Sequence, residues 1–338
     1  MTIHSNSERP RIVVIGAGRM AVDFHLPSLQ ALHANRRCTL AAICDVNGEK
    51  AAAAAREFGI RAVYGHLEDM LQAEKPDGVL VIVPVPFTAR VARHVLRKGI
   101  PVMMEKPPGA NPRECRQIAE ASRVGKTPNM VAFNRRRCPV IVQGREEILK
   151  RGAAKGASAR MYRHLRDDEE FFFGTGIHGL DALRYIAGDI ERVDTYRRSV
   201  VDGECPAFHL QIGYKNGAAG TYTVRPQSGV QIERYEIFGQ ETVAFVHAGV
   251  GWLVDAPGGC TLYEKNKPVA LPDPLRAWAK AKGDKLKSAI AGGFYGENKA
   301  FVDALVGKGP FTPSAEESLE SVEIADAVRG GKNWKRKK

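Results

Sequence analysis

The first third of the chain alternates short apolar runs with stretches whose apolar residues recur every three or four positions. Strands are predicted at 11–15, 39–45, 79–83, 101–104 and 129–133, and helices at 20–32, 49–58, 88–98 and 112–124. Gly99 and Gly125 are read as the left-handed residues that close the last two helices. Strand and helix in strict alternation is the rhythm of βαβ units, so a doubly wound parallel sheet is expected over residues 1–133. After Phe133 the pattern changes. A helix at 139–150 leads into alternating stretches from Ala157 onward, separated by turn residues. Residues 208–214 and 218–224 flank Lys215-Asn216-Gly217, and 232–238 and 241–246 flank Gly239-Gln240, both hairpin signals. Residues 134–338 are therefore expected to form a second α/β domain on a large, mostly antiparallel sheet. A helix at 178–187 lies against that sheet, and the late helices 294–306 and 315–328 are expected to pack back on the first domain.

A length of 338 residues agrees with two hydrophobic cores. With 44% hydrophobic and 26% charged residues the chain is an ordinary folded protein. Its longest apolar run, from Val79 to Phe87, is too short to span a bilayer and contains Pro84 and Pro86. The polar N-terminus, MTIHSNSERPR, offers no export signal, and the six cysteines form no C-x-x-C pair. A reducing cytoplasm, no membrane and no metal site follow as expectations. The net charge of +12 is shared among a basic tail (Lys332, Lys335, Arg336, Lys337, Lys338), read as a frayed terminus, Arg135-Arg136-Arg137 and scattered helix faces. No nucleic-acid motif accompanies it, so attraction for an anionic cofactor and for an anionic or carbohydrate small-molecule substrate is the preferred reading.

The first candidate chemistry is Gly16-Ala17-Gly18-Arg19-Met20-Ala21, a G-x-G-x-x-A pattern between a predicted strand and a helix. The first glycine permits a tight turn, and the second lets backbone approach a pyrophosphate at the helix N-terminus. An acid closes the next strand: Asp45 is placed to accept from the adenosine ribose. These features make the first domain a Rossmann domain with Gly16, Gly18, Arg19, Met20 and Asp45 as cofactor residues. The carboxylate of Asp45 favours NAD over NADP, and Val46-Asn47-Gly48 supplies no arginine for a 2′-phosphate. The alternative is that Asp45 caps the helix at 49.

Two further stretches carry polar side chains suited to catalysis: Met104-Glu105-Lys106-Pro107, at the carboxyl end of a predicted parallel strand, and Gly176-Ile177-His178-Gly179-Leu180-Asp181, opening a helix. With the glycine loop and Phe133-Asn134-Arg135-Arg136 between them, these motifs stand in the order and spacing of the glucose–fructose oxidoreductase, inositol dehydrogenase and MocA family, which the chain resembles over nearly its whole length. The resemblance implies NAD(P)-dependent hydride transfer at a carbinol carbon of a sugar, cyclitol or derivative. It implies that Lys106 contacts substrate and nicotinamide ribose, that His178 exchanges the hydroxyl proton, and that Val83, Pro84 and Glu105 contribute to the cofactor site. It also implies pairing into a homodimer or homotetramer through the second-domain sheet. Histidine titrates near neutrality without adjustment, whereas lysine needs a lowered pKa to act as base. His178 is accordingly assigned as acid and base and Lys106 as orienting partner, with reversed roles as the alternative.

The chain departs from the family pattern twice. Many members carry aspartate four residues before the histidine, where this chain has Gly174; Asp181, or one of Asp167, Asp168, Glu169 and Glu170, is the substitute candidate. Residues 83–88 lack the Asn and His of the family's T-P-N-x-x-H segment. Arg135, Arg136 and Asp181 are candidate substrate residues, the arginines either binding an anionic group or pairing with acids across the domain interface. Two other functions compete with the dehydrogenase: a glycosidase that uses tightly bound NAD for transient oxidation and elimination, and a non-catalytic NAD-binding regulator.

Overall fold

The computed structural model describes residues 9–198 and 205–337, so residues 1–8, 199–204 and Lys338 lie outside it. The chain divides into two compact units, one built from the chain through Ala132 with Gly283–Ala289 and Phe294–Leu319, the other from Phe133–Lys282, Ile290–Gly293 and Glu320 onward.

In the first unit, strands β1 (Arg11–Ile15), β2 (Thr39–Cys44), β3 (Ala62–Tyr64), β4 (Gly78–Val81), β5 (Val102–Glu105) and β6 (Asn129–Ala132) form one sheet in the order β3-β2-β1-β4-β5-β6. All neighbours in it run parallel. The inner strands read as continuous apolar runs because helices cover both faces. Ile12, Val14, Ile43, Leu80, Met103 and Met130 pack in one buried cluster with Phe301, Val302 and Leu305 of the returning helix Phe294–Leu305. Strand β3 and the helix Leu67–Glu74 are absent from the sequence reading. The three residues of β3, Ala62-Val63-Tyr64, are apolar but too short a run to stand out as a strand. Gly125 is not the left-handed cap expected of it. The helix Pro112–Gly125 includes it, and Lys126 takes the positive φ of 49°. Glycine suits position 125 because a Cβ there would press on the carbonyl oxygen of Leu96 at 3.0 Å.

The second unit holds nine strands: β7 (Gly156–Tyr162), β8 (Ile190–Arg198), β9 (Ala207–Tyr214), β10 (Ala219–Arg225), β11 (Ile232–Phe238), β12 (Thr242–His247), β13 (Gly259–Glu264), β14 (Lys267–Val269) and β15 (Trp334–Lys335). Their order is β14-β13-β12-β11-β7-β10-β9-β8-β15, and β7 with β10 is the one parallel pair among them. Both predicted hairpins form. In the first, only Gly217 takes a positive φ; Asn216 instead accepts from Ala218 N and donates to Ala187 O, both at 3.0 Å. The basic tail is not frayed through Arg336. Strand β15 pairs with β8, and Arg336 N donates to Glu191 O at 2.9 Å.

One face of this sheet is apolar and covered by the helices Pro139–Leu149 and Ile177–Ala187. Beneath them lies a buried ion network. Glu233 accepts from Arg135 Nε (2.8 Å) and Nη2 (2.7 Å), from Arg163 Nη2 (2.7 Å) and from the Tyr235 hydroxyl (2.6 Å). Burial alone would raise the Glu233 pKa, but the charges and hydrogen bonds of Arg135 and Arg163 and the tyrosine hydroxyl hold it far below the carboxylate range. Deleting one partner of such a network strands buried charge, at a cost of about 3–5 kcal/mol. Glu233→Gln is therefore expected to lower the urea midpoint of the second unit sharply, and an unchanged midpoint would contradict the network's role. Because the folded pKa is depressed, the stabilisation from Glu233 is present above the unfolded carboxylate range. It is lost only as pH falls toward the depressed value, so wild-type stability owes no pH dependence to this group between about pH 8 and 6.

Candidate functional site

The carboxyl ends of four neighbouring strands carry the predicted cofactor residues of the first unit. At the end of β1 the chain turns at Gly16, whose φ is +102° and whose N–H donates to Cys44 O at 2.8 Å. A Cβ at this position would lie 2.0 Å from the carbonyl oxygen of Ile82, so no other residue fits. Gly18 differs: a Cβ there meets nothing within 4 Å. The open space beside it faces the start of a helix that opens with a π-helical turn, Ala21–His25, and continues as Leu26–Ala34. The helix N-terminus presents donors and a positive dipole end, which suits an anion. Pro27, at the start of the α segment, has no N–H to donate, and the hydrogen-bond ladder changes register there. Arg19 is exposed and pairs with Asp23, and Met20 packs beside Phe24, Ala289 and Phe294.

At the end of β2, Asp45 Oδ2 accepts from Ala17 N at 2.7 Å and Oδ1 from Asn47 N at 2.8 Å. The carboxylate thus ties the glycine loop to the next strand. It does not cap the helix Gly48–Phe58; Asn47 does, accepting from Lys50 N at 3.0 Å. Beyond β4, half-buried Val83 and exposed Pro84 lead into the helix Val85–Arg97. At the end of β5, buried Glu105 accepts from His25 Nε2 and from Lys106 N, each at 3.0 Å, and Lys106 precedes the cis proline Pro107. Burial would raise the Glu105 pKa, but the hydrogen bond from His25 and the charge of Lys106 hold it below its ordinary value.

Strand β1 lies between β2 and β4, which leave it on opposite sides, so this edge is the topological switch point where open α/β sheets bind ligands. The space at Gly18, the helix start behind it and the acid at Asp45 together fit the pyrophosphate and ribose of a dinucleotide.

In the second unit His178 lies in the first turn of Ile177–Ala187, largely buried, its ring edge-on to Phe133 at 6.4 Å. Asp181, one turn on, gives its two oxygens to Arg136, at 2.7 and 2.9 Å, and accepts from Ser321 Oγ at 3.1 Å. The expectation that Asp181 substitutes for the missing aspartate is corrected to this extent: its carboxylate is committed to an arginine. Arg135 and Arg136 likewise take the ion-pair reading, and their partners Glu233 and Asp181 belong to the same unit rather than to the other side of an interface. Arg135 is fully buried, with Nη1 donating to Asn134 Oδ1, which leaves its guanidinium no face for a substrate. Gly174 sits in the π-helical turn Phe172–Gly176, where a Cβ meets nothing within 4 Å. Of the nearby acids, Asp168 pairs with Arg166 and Glu170 with Arg329.

Sequence reasoning missed His25 and Asn298, whose side chains meet at 3.0 Å behind Glu105. A signal was available: Asn298 interrupts the apolar stripe Phe294, Phe301, Leu305 of its helix, and a polar residue on such a stripe must be hydrogen-bonded.

The two glycines make separable predictions. Gly16→Ala is expected to lower the melting temperature by several degrees and abolish dinucleotide binding, because the Cβ collides with backbone. Gly18→Ala is expected to leave the melting temperature unchanged and weaken dinucleotide binding by about tenfold or more, since its methyl fills only the open cradle. Calorimetric melting and a dinucleotide titration read both; equal behaviour of the two variants would contradict the assignment.

Comparison with known proteins agrees with this geometry. Residues 10–133 match the oxidoreductase family with an NAD-binding Rossmann fold, and residues 170–330 match the C-terminal alpha/beta domain of the same family. D-glucoside 3-dehydrogenase of Escherichia coli K12 is 30% identical over 199 residues, 53% of this chain and 54% of that one, so the match spans about half of the relative. D-apiose dehydrogenase of Paraburkholderia graminis is 25% identical over 310 residues, 86% of this chain and 80% of the relative. Among solved structures, a dehydrogenase from Clostridium difficile superposes with a TM-score of 0.79 at 17% identity, covering 95% of this chain and 99% of its own. The WlbA dehydrogenase of Chromobacterium violaceum, solved with NADH and UDP-GlcNAcA, gives 0.76 at 19% identity, covering 98% and 97%. At such identities the likeness shows the fold. With both halves matched in order, the chain belongs to the Gfo/Idh/MocA oxidoreductase family, its first unit being the NAD-binding Rossmann domain.

Proposed function

We propose that this protein is an NAD-dependent dehydrogenase or reductase acting on a carbinol carbon of a sugar, cyclitol or sugar derivative. The observation that carries the reading is the alignment of Gly18, Asp45 and Lys106 along one edge of a parallel sheet whose family binds NAD. Several relatives are named as glucoside, apiose and inositol dehydrogenases, which supports a polyhydroxylated substrate.

NAD, when bound, supplies the hydride acceptor. The protein must hold it, orient the substrate hydroxyl and receive its proton. Asp45 is suited to the adenosine ribose, and its negative charge disfavours a 2′-phosphate. Arg19, Met20, Val83, Pro84 and Glu105 complete the cofactor residues of this reading. Lys106 supplies a positive charge and donors that polarise the hydroxyl, and His178 takes its proton in oxidation and returns it in reduction. Asp181, on the His178 helix, and Arg136 act in this scheme as a paired unit, not as free charges for a substrate.

No helix among the described residues is long and apolar enough to cross a membrane. All six cysteines are free, which supports a place in the reducing cytoplasm. Phe238, Val243, Phe245 and Tyr263 share the uncovered face of the second sheet, which supports assembly into a homodimer or homotetramer.

The test is turnover of a panel of sugars, sugar acids, cyclitols and glycosides with NAD, following NADH absorbance and product mass. NADH formation that falls by about 10²–10⁴ in kcat in His178→Ala and in Lys106→Ala is expected. Glycoside cleavage without NADH release, or full activity in both variants, would contradict the reading.

A further inference from the structure

Glu105 is a carboxylate only 8% exposed, and it stands next to the lysine that the proposed reaction uses. Burying such a group as an anion is costly unless hydrogen bonds and charge compensate. The compensation comes from a line of side chains in the same unit. Asn298 Nδ2 lies 2.8 Å from the carbonyl oxygen of Phe294 and 3.0 Å from His25 Nδ1. A carbonyl oxygen only accepts, so the amide must turn its NH2 toward Phe294; flipped, it would set oxygen against oxygen. The same nitrogen is also the nearer Asn298 atom to His25 Nδ1, at 3.0 Å against 3.5 Å for Oδ1, so its second hydrogen is donated to Nδ1. The imidazole is thereby fixed as the tautomer protonated on Nε2, the nitrogen 3.0 Å from Glu105 Oε1. A neutral ring donating to a carboxylate leaves the pair with one net negative charge.

We propose that Asn298, His25 and Glu105 are positioning residues that hold a fixed negative charge beside Lys106, keeping it an ammonium that orients and polarises the substrate hydroxyl. Proton exchange then falls to His178. The inference rests on the proposed dehydrogenase reading for its meaning, but not for its test. Other charged groups on the elements packed around Glu105 do not reverse the sign. Strands β4 and β6 carry no ionisable residue and β5 none but Glu105. On the π-helical turn with His25, Asp23 pairs with Arg19. On the helix with Asn298, Lys299 pairs with Asp303, while buried Glu297 is a further acid.

The experiment measures the pH dependence of Lys106 acetylation by trace acetic anhydride in the full-length protein, quantified by peptide mass spectrometry with Lys285 as internal reference. It needs no substrate, so a failure to find turnover leaves it interpretable. In Glu105→Gln, which is nearly isosteric, the Lys106 midpoint is expected to move to lower pH by about one unit or more. His25→Ala is expected to shift it in the same direction. His25→Gln, which keeps an N–H donor toward Glu105, is expected to restore a midpoint near wild type. The Lys285 midpoint is expected to stay fixed throughout. A Lys106 midpoint unmoved in folded Glu105→Gln would overturn the proposal. So would identical midpoints in His25→Ala and His25→Gln, since a merely structural histidine would lower the melting temperature without separating those two. Should His25→Ala fail to fold, Glu105→Gln alone still decides whether the charge acts on Lys106.

Discussion

The absence of a side chain at Gly16 is the constraint on which the cofactor edge depends. The chain leaves β1 so close to Ile82 that a single methyl would overlap its carbonyl oxygen. This close passage lets Ile82 N donate to Ile15 O, Gly16 N donate to Cys44 O and Ala17 N donate to Asp45, stitching the ends of β4, β1 and β2 together. With those ends fixed, the helix that follows starts over the sheet edge, and Gly18 is left facing open space at its N-terminus. Asp45 holds the loop in place through both carboxylate oxygens, and in the proposed reading its charge also meets the ligand.

Both units solve the same electrostatic problem, a carboxylate enclosed in apolar surroundings, with different partners. In the second unit Glu233 and Asp181 are matched by arginines, whose planar forks satisfy two oxygens at once. This explains why Arg135 and Arg136 stand side by side in the sequence: the 3-10 turn Asn134–Arg137 sends one guanidinium to the sheet at Glu233 and the next to the helix at Asp181. In the first unit Glu105 is matched by a histidine and by a lysine's backbone and charge. The arginine-paired acids are closed, with their charge cancelled in place. Glu105 keeps its charge available to act on its neighbour, which is a reason to place chemistry beside it and not beside Glu233.

Much of this was legible in the sequence because periodicity and turn chemistry act locally. Strand β1 was bounded to the residue, and the G-x-G-x-x-A loop, the acid after β2 and both hairpins follow from short-range rules. What escaped was set by contacts distant along the chain. Strand β3 is an apolar run of only three residues, too short to be told from a loop. Gly125 was read as a cap, when the real demand on it is room for Leu96. The partners of Arg135 and Glu105 lie 98 and 80 residues away, so no window of sequence could have paired them. The tail shows the same limit: a run of lysines looks solvated until β8 offers Trp334 and Lys335 an edge to join.

The first unit is the NAD-binding Rossmann domain, and we propose that Asp45 makes it choose NAD over NADP. The most direct measurement is the fluorescence titration of NADH and NADPH into the wild-type protein and into Asp45→Asn, which keeps an acceptor for the loop but removes the charge. The account predicts that wild type binds NADH at least about tenfold more tightly than NADPH, a difference of about 1.4 kcal/mol, and that the preference shrinks toward unity in the variant. Equal affinity of wild type for the two nucleotides, or a preference untouched by Asp45→Asn, would contradict it.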